Sequence, residues 1–150
     1  MTTHLFMFKP GLWLGEGKIV LNMVEEELKF YTKWNIQHRD FNNKIAGVQE
    51  IQINGITESM RNELVFFDFQ EGAFSVEMEN LNIGKVQGQG IYDENLIAWE
   101  FRSNSMNFEG YETYYLQEDN KYKMHAEYVT SDQFRTLIDG KIWLSPGAEE

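Results

Sequence analysis

The groups able to do chemistry in this chain are histidines, carboxylates and hydroxyls. It contains no cysteine, and so no thiol nucleophile, no thiolate metal ligand and no disulfide. The three histidines, His4, His38 and His125, are scattered, and no two stand at a metal-ligand spacing. His125 alternates with Lys123 and Glu127, which reads as a solvent-facing strand position, ahead of haem ligation or general-base work. His38-Arg39-Asp40 copies three letters of a kinase catalytic loop, but no Gly-rich loop, paired Lys or Asp-Phe-Gly accompanies it, so it reads as a polar turn. Gly84…Gly88-x-Gly90 is no phosphate cradle, because no helix follows to point its N-terminus at an anion. Glu25-Glu26-Glu27 reads as a solvated turn, since consecutive strand residues face opposite ways and cannot converge on one ion. A Ser-His-Asp triad is recognised by geometry and cannot be assembled from sequence. The expectation is therefore no assignable catalytic residue and no metal site.

Charge narrows the partners. With 24 acidic residues against 13 basic ones, the formal net charge is −11. Nucleic-acid binding relies on Lys and Arg displacing counterions, and no basic stripe is present. An anionic membrane surface is unfavourable for the same reason. No segment approaches the roughly 20 apolar residues of a spanning helix, and MTTHLFMFKPGLW lacks the basic start, apolar run and cleavage site of a leader. The expected setting is cytoplasmic.

The elements that must position any site are strands. Aromatics, 15% of the chain, cluster with Val and Ile in short runs divided by Gly, Asn, Asp and Glu, the pattern of a sandwich or barrel. Leu28, Phe30, Thr32, Trp34 and Ile36 fall on one strand face, and Lys29, Tyr31, Lys33 and Asn35 on the other. Phe74, Val76 and Met78 alternate with Ser75, Glu77 and Glu79, as Ile97, Trp99 and Phe101 do with Ala98, Glu100 and Arg102. Strands are expected at 12–22, 27–37, 46–54, 57–69, 72–80, 83–92, 95–104, 108–117, 121–129 and 133–144. Turns such as Asn54-Gly55, Glu71-Gly72 and Glu109-Gly110 join them, and connections this short make neighbours antiparallel. The last segment is ambiguous. Thr130 with Gln133 could cap a helix carrying Phe134, Leu137 and Ile138, but Phe134 to Leu144 also alternates, and the strand is favoured, with a capped turn at 130–133. A final strand beside the first would close the sheet and remove both edges. Same-face glycines, Gly15 with Gly17 and Gly84 with Gly88 and Gly90, suggest bends or room for a bulky neighbour. The expected architecture is all-β: one domain over residues 1–150, folded as a closed antiparallel up-and-down barrel of about ten strands.

Gly11-Leu12-Trp13, at the start of the first strand, resembles the Gly-x-Trp signature of lipocalins and the wider calycin superfamily. The resemblance implies a Trp closing one end of the barrel beneath a basic residue of the last strand, here Trp13 under Arg135, with Arg102 as the next candidate. Such a cation–π contact would be structural. Lipocalins have eight strands and usually a leader and disulfides. Fatty-acid-binding proteins have ten strands and a helical lid, for which Met23-Val24-Glu25-Glu26-Glu27 is too short. Trp13-Leu14-Gly15-Glu16-Gly17 is similar to the opening strand of nitrobindin-like barrels, ten-stranded and intracellular. Their haem is held by a His near the C-terminus, and no His follows residue 125, so haem is disfavoured and no cofactor is expected.

A barrel of ten strands is wider than one of eight and leaves space inside. Trp34, Phe66, Phe74, Met78, Trp99, Phe101, Tyr114 and Met124 are the residues expected to line it. Glu100 and Arg102 fall outside if the aromatics point inward; with the faces reversed, Arg102 becomes the clamp for a ligand carboxylate. The leading expectation is a binding protein for a small apolar or amphipathic molecule that carries out no chemistry. The alternatives are a barrel enzyme, isomerase or hydrolase, using buried Glu and Tyr, and an interaction module, for which a homodimer is left open. A buried carboxylate of raised pKa would favour the enzyme; a contiguous exposed apolar patch would favour the module.

Overall fold

A computed structural model describes residues 4, 6–22, 26–102, 108–118, 120–129 and 135–145. Ten strands follow in order: β1 (Gly11–Leu21), β2 (Glu27–Ile36), β3 (Ile45–Ile53), β4 (Met60–Gln70), β5 (Ala73–Asn80), β6 (Gly84–Tyr92), β7 (Leu96–Phe101), β8 (Glu109–Glu118), β9 (Lys121–Val129) and β10 (Arg135–Leu144). Each pairs antiparallel with its neighbours in sequence, and β1 pairs with β10, so the sheet is a closed up-and-down barrel with no free edge. The ambiguous last segment is strand from Arg135 onward; the capping box at 130–133 and Phe134 lie outside the described residues. β4 begins later than expected because Ile56 to Ser59 stay exposed in the connection.

Alternation sorts the side chains. On β2 the pattern runs exposed Tyr31, buried Thr32, exposed Lys33, buried Trp34, and β5 and β7 alternate likewise. The core is the barrel interior, and Phe30, Trp34, Phe66, Phe74, Trp99, Phe101 and Tyr114 are each no more than 3% exposed. Glycines make room for it. A Cβ at Gly90 would overlap the Phe74 ring, which lies across that glycine from the paired strand.

The two ends differ. At the end where β1 starts, the segment before it folds in: Phe6 and Met7 are fully buried. The Phe6 ring packs at centroid distances of 5.2 Å on Trp13, 5.4 Å on Trp34, 4.9 Å on Tyr114 and 5.7 Å on Tyr122. His4 ties this segment down, with Nδ1 2.7 Å from the Tyr122 hydroxyl and Nε2 2.6 Å from the Asp93 carbonyl. The carbonyl can only accept, so Nε2 carries the proton, and in the neutral ring Tyr122 donates to Nδ1.

Trp13 is buried at this end, but the expected Arg135 partner is corrected. Trp13 pairs with Leu144, whereas the Arg135 carbonyl accepts a hydrogen bond from Asn22 N at 3.1 Å, one residue past the far end of β1. Antiparallel pairing places the start of β10 beside the end of β1, so the two side chains belong to opposite ends of the barrel. Arg102 does not replace it, because it follows the last residue of β7 at the same far end. Phe6 and Tyr122 cover Trp13 instead, and the nearest arginine to an aromatic at this end is Arg39, 4.8 Å above the Phe69 ring. Gly11 opens β1 opposite Ile36.

Candidate functional site

Above the plug the interior is not filled. A cavity of about 370 Å³ extends from Trp34 toward the far end of the barrel, where Asn80 and Ile83 are half-buried and Met60 and Asn82 exposed. Of the residues expected to line it, Trp34, Met78, Tyr114 and Met124 do. Phe66, Phe74, Trp99 and Phe101 are corrected: they point inward but fill the interior rather than border the space. Phe66 packs on Phe74 at 5.9 Å and on Trp99 at 5.3 Å, and Trp99 stacks on Tyr114 at 5.2 Å. Rings of this bulk converging from β4, β5 and β7 occupy their part of the barrel, so the cavity lies beside them.

Arg102 is also corrected as a carboxylate clamp. Trp99 and Phe101 face in, so Glu100 and Arg102 face out, and their side chains pair with each other on the surface. His125 likewise faces the outside. It stands 2.6 Å from Asp139 and 2.9 Å from Glu127, which in turn accepts the Tyr111 hydroxyl proton at 2.7 Å. Burial alone would lower the His125 pKa, but the bonds to Glu127 and Asp139 outweigh it and raise the value. Among the described residues no group of three or more His, Cys, Asp or Glu could hold a metal ion.

The cavity wall carries polar residues the sequence did not single out. On one side a ladder of hydrogen bonds crosses four neighbouring strands. Asn80 Nδ2 donates to Asn62 Oδ1 at 2.9 Å, Asn62 Nδ2 to Gln49 Oε1 at 3.0 Å, and Gln49 Nε2 to Thr32 Oγ1 at 3.4 Å. Thr32 ends the run by donating to the Glu50 carbonyl at 3.1 Å. Buried amides need such partners, and each satisfies the next. The signal for them was parity, because Thr32 shares a face with Trp34 and Asn62 with Phe66.

Across the cavity, on β8, stands Glu112, 6% exposed. Tyr114, two residues along the same face of β8, donates its hydroxyl proton to Oε1 at 2.5 Å. Tyr128 of β9 donates to Oε2. Tyr128 reaches that oxygen because its ring lies over Gly110, where a Cβ would overlap it. Burial raises the Glu112 pKa, against the two tyrosine bonds, which lower it. Burial, and then the Glu112 charge, push both tyrosines well above their ordinary value, so they remain donors. Among the described residues the indole N–H groups of Trp34, on the cavity wall, and of Trp99, behind it, have no hydrogen-bond partner.

A closed ten-stranded up-and-down barrel with this topology is lipocalin- or calycin-like in architecture. Among solved structures it is similar to an S-type phycobiliprotein lyase, CPES from Guillardia theta, with a TM-score of 0.71 over 98% of this chain and 94% of that chain. Identity is 9%, so the likeness is one of fold. No family model matches the sequence, and neither does any curated protein.

Proposed function

We propose that this chain is a binding protein that takes a small amphipathic molecule into its barrel and releases it unchanged. The observation that carries this reading is the 370 Å³ cavity with mixed lining: Ile, Met and aromatic side chains around most of it, an amide ladder on one wall and Glu112 on the other. Binding sites for small molecules are concave, mostly apolar and marked by a few placed polar groups. The space lies toward the small end of the roughly 300–1,000 Å³ range of ligand pockets, so the ligand is small. The shared barrel of a protein named a phycobiliprotein lyase is compatible with an interior that serves a small organic molecule.

The test is titration with an environment-sensitive apolar dye, alongside the variant Met78→Trp. Met78 is 4% exposed and on the cavity wall, so a larger side chain there occupies ligand space. The expected result is dye binding by the wild type, lost in the variant with little change in melting temperature. Absent dye binding, with overpacking costing about 1–3 kcal/mol in the variant, would mean that the interior is core alone.

A second reading is a barrel enzyme using Glu112 for proton transfer. What favours it is the raised pKa of a buried carboxyl beside two tyrosine hydroxyls, the arrangement of a general acid or base. The two readings part on the ligand's fate: recovery of unchanged ligand after long incubation supports binding alone, and a Glu112-dependent product supports the enzyme.

A further inference from the structure

We infer that the ligand of this cavity carries a positively charged nitrogen, held by Glu112 against aromatic walls. The inference deepens the binding reading above and rests on it.

Among the described residues Glu112 is the one charged side chain lining the cavity, and no Lys, Arg or His among them is there to balance it. Either protonation state of the empty site is deficient. An ionised carboxylate receives two hydroxyl protons but no positive charge, and removing such a charge from water is costly unless it is paired. A protonated carboxyl must donate its own hydrogen, and among the described residues both of its hydrogen-bond partners are themselves donors to it. A cationic ligand removes the conflict. It supplies the missing charge, and since a carboxylate offers about four acceptor positions, of which the tyrosines use two, it finds lone pairs free.

The remaining walls suit the same ligand. Trp34, Tyr114 and Tyr128 line the cavity, and aromatic rings attract cations to their faces. The Asn80–Asn62–Gln49 ladder carries no charge that would repel one. The chain's net charge of −11 raises the local concentration of cations and lowers that of anions. The apolar remainder of the cavity takes the body of the molecule. The class is a small hydrophobic amine.

The experiment uses two probes of one shape, 1-naphthylmethylamine, charged at neutral pH, and 1-naphthylmethanol, neutral. Dissociation constants are measured by fluorescence and calorimetry on the wild type and on Glu112→Gln. A charge-assisted bond predicts that the wild type holds the amine about tenfold to a hundredfold tighter than the alcohol. Glu112→Gln should bind the two probes alike, and a circular dichroism spectrum matching the wild type shows that the variant is folded.

A second arm needs no mutation. Wild-type affinity for the amine should rise as pH is raised above the ordinary carboxyl range and Glu112 ionises, while affinity for the alcohol stays flat. The titratable groups facing Glu112 are Tyr114 on β8 and Tyr128 on β9, both ionising well above that range. Its paired neighbours, Trp99 on β7 and Ala126 on β9, do not titrate. If Glu112→Gln does not fold, this arm decides. An amine bound no tighter than the alcohol, a preference that survives in Glu112→Gln, or a flat pH profile would overturn the inference and leave the cavity reading standing. Failure of both probes to bind the wild type would overturn both.

Discussion

Phe6→Ala tests whether the segment before β1 is part of the barrel or an appendage to it. Phe6 is fully buried and touches four rings, from β1, β2, β8 and β9. Truncating a buried Phe costs about 3–5 kcal/mol, and the separate ring contacts are contained in that figure rather than added to it. The cost has a ceiling, because a terminal segment can detach, and the loss cannot exceed the free energy that holds it in place. The His4 bonds to Tyr122 and Asp93 help set that ceiling, so about 3 kcal/mol is expected. At about 2–4 °C per kcal/mol for a domain of this size, the melting temperature should fall by roughly 10 °C. Urea unfolding followed by tryptophan emission is the assay, and the native emission should shift to the red because Trp13 and Trp34 both lose a covering ring. Leu81→Ala, at a side chain fully exposed to solvent, is the control and should stay within about 0.5 kcal/mol of wild type. A loss below about 1 kcal/mol for Phe6→Ala would refute the reasoning: the plug would then be dispensable.

Two further outcomes follow from the Glu112 cluster. Gly110→Ala should cost about 1–3 kcal/mol in urea unfolding, because its Cβ meets the Tyr128 ring and the Glu127 carbonyl, and an unchanged midpoint would show that Tyr128 does not need that glycine. Because the folded-state pKa of Glu112 is raised from the ordinary 4.5, the stability it contributes is fully present below that value and is lost as pH rises through the folded one. The stability difference between Glu112→Gln and wild type should therefore move in favour of the variant across that interval, and a difference flat with pH would contradict the assignment.

The fold was legible because in a barrel the inside and outside of every strand are written in alternate residues. Trp99 and Phe101 against Glu100 and Arg102 declare which way β7 faces, and the short turns leave only antiparallel neighbours. The end-to-end register was less legible. Placing Trp13 beneath Arg135 needed the start of β1 to meet the start of β10, but an antiparallel pair sets the start of one strand beside the end of the other, so the meander alone excludes it. The plug was not legible at all. Phe6, Met7 and His4 precede the first alternating run, and nothing in their spacing says that they fold back over the barrel's end.

The site was half legible for a related reason. Looking for large apolar side chains on inward faces finds what fills a barrel as readily as what lines a space. Phe66 and Trp99 share parity with Trp34 and Tyr114, yet only the second pair borders the cavity. The informative residues were inward by the same parity but polar: Gln49, Asn62 and, two residues before Tyr114, Glu112. A packed core excludes such groups unless they are satisfied, so three polar side chains on inward positions of different strands signal a space that needs them. Thr32 and the Asn80 amide complete one wall without any charge, which leaves Glu112 as the one charged group among the described lining residues. In this barrel the hydrophobic pattern accounts for the shape, and the exceptions to it locate the chemistry.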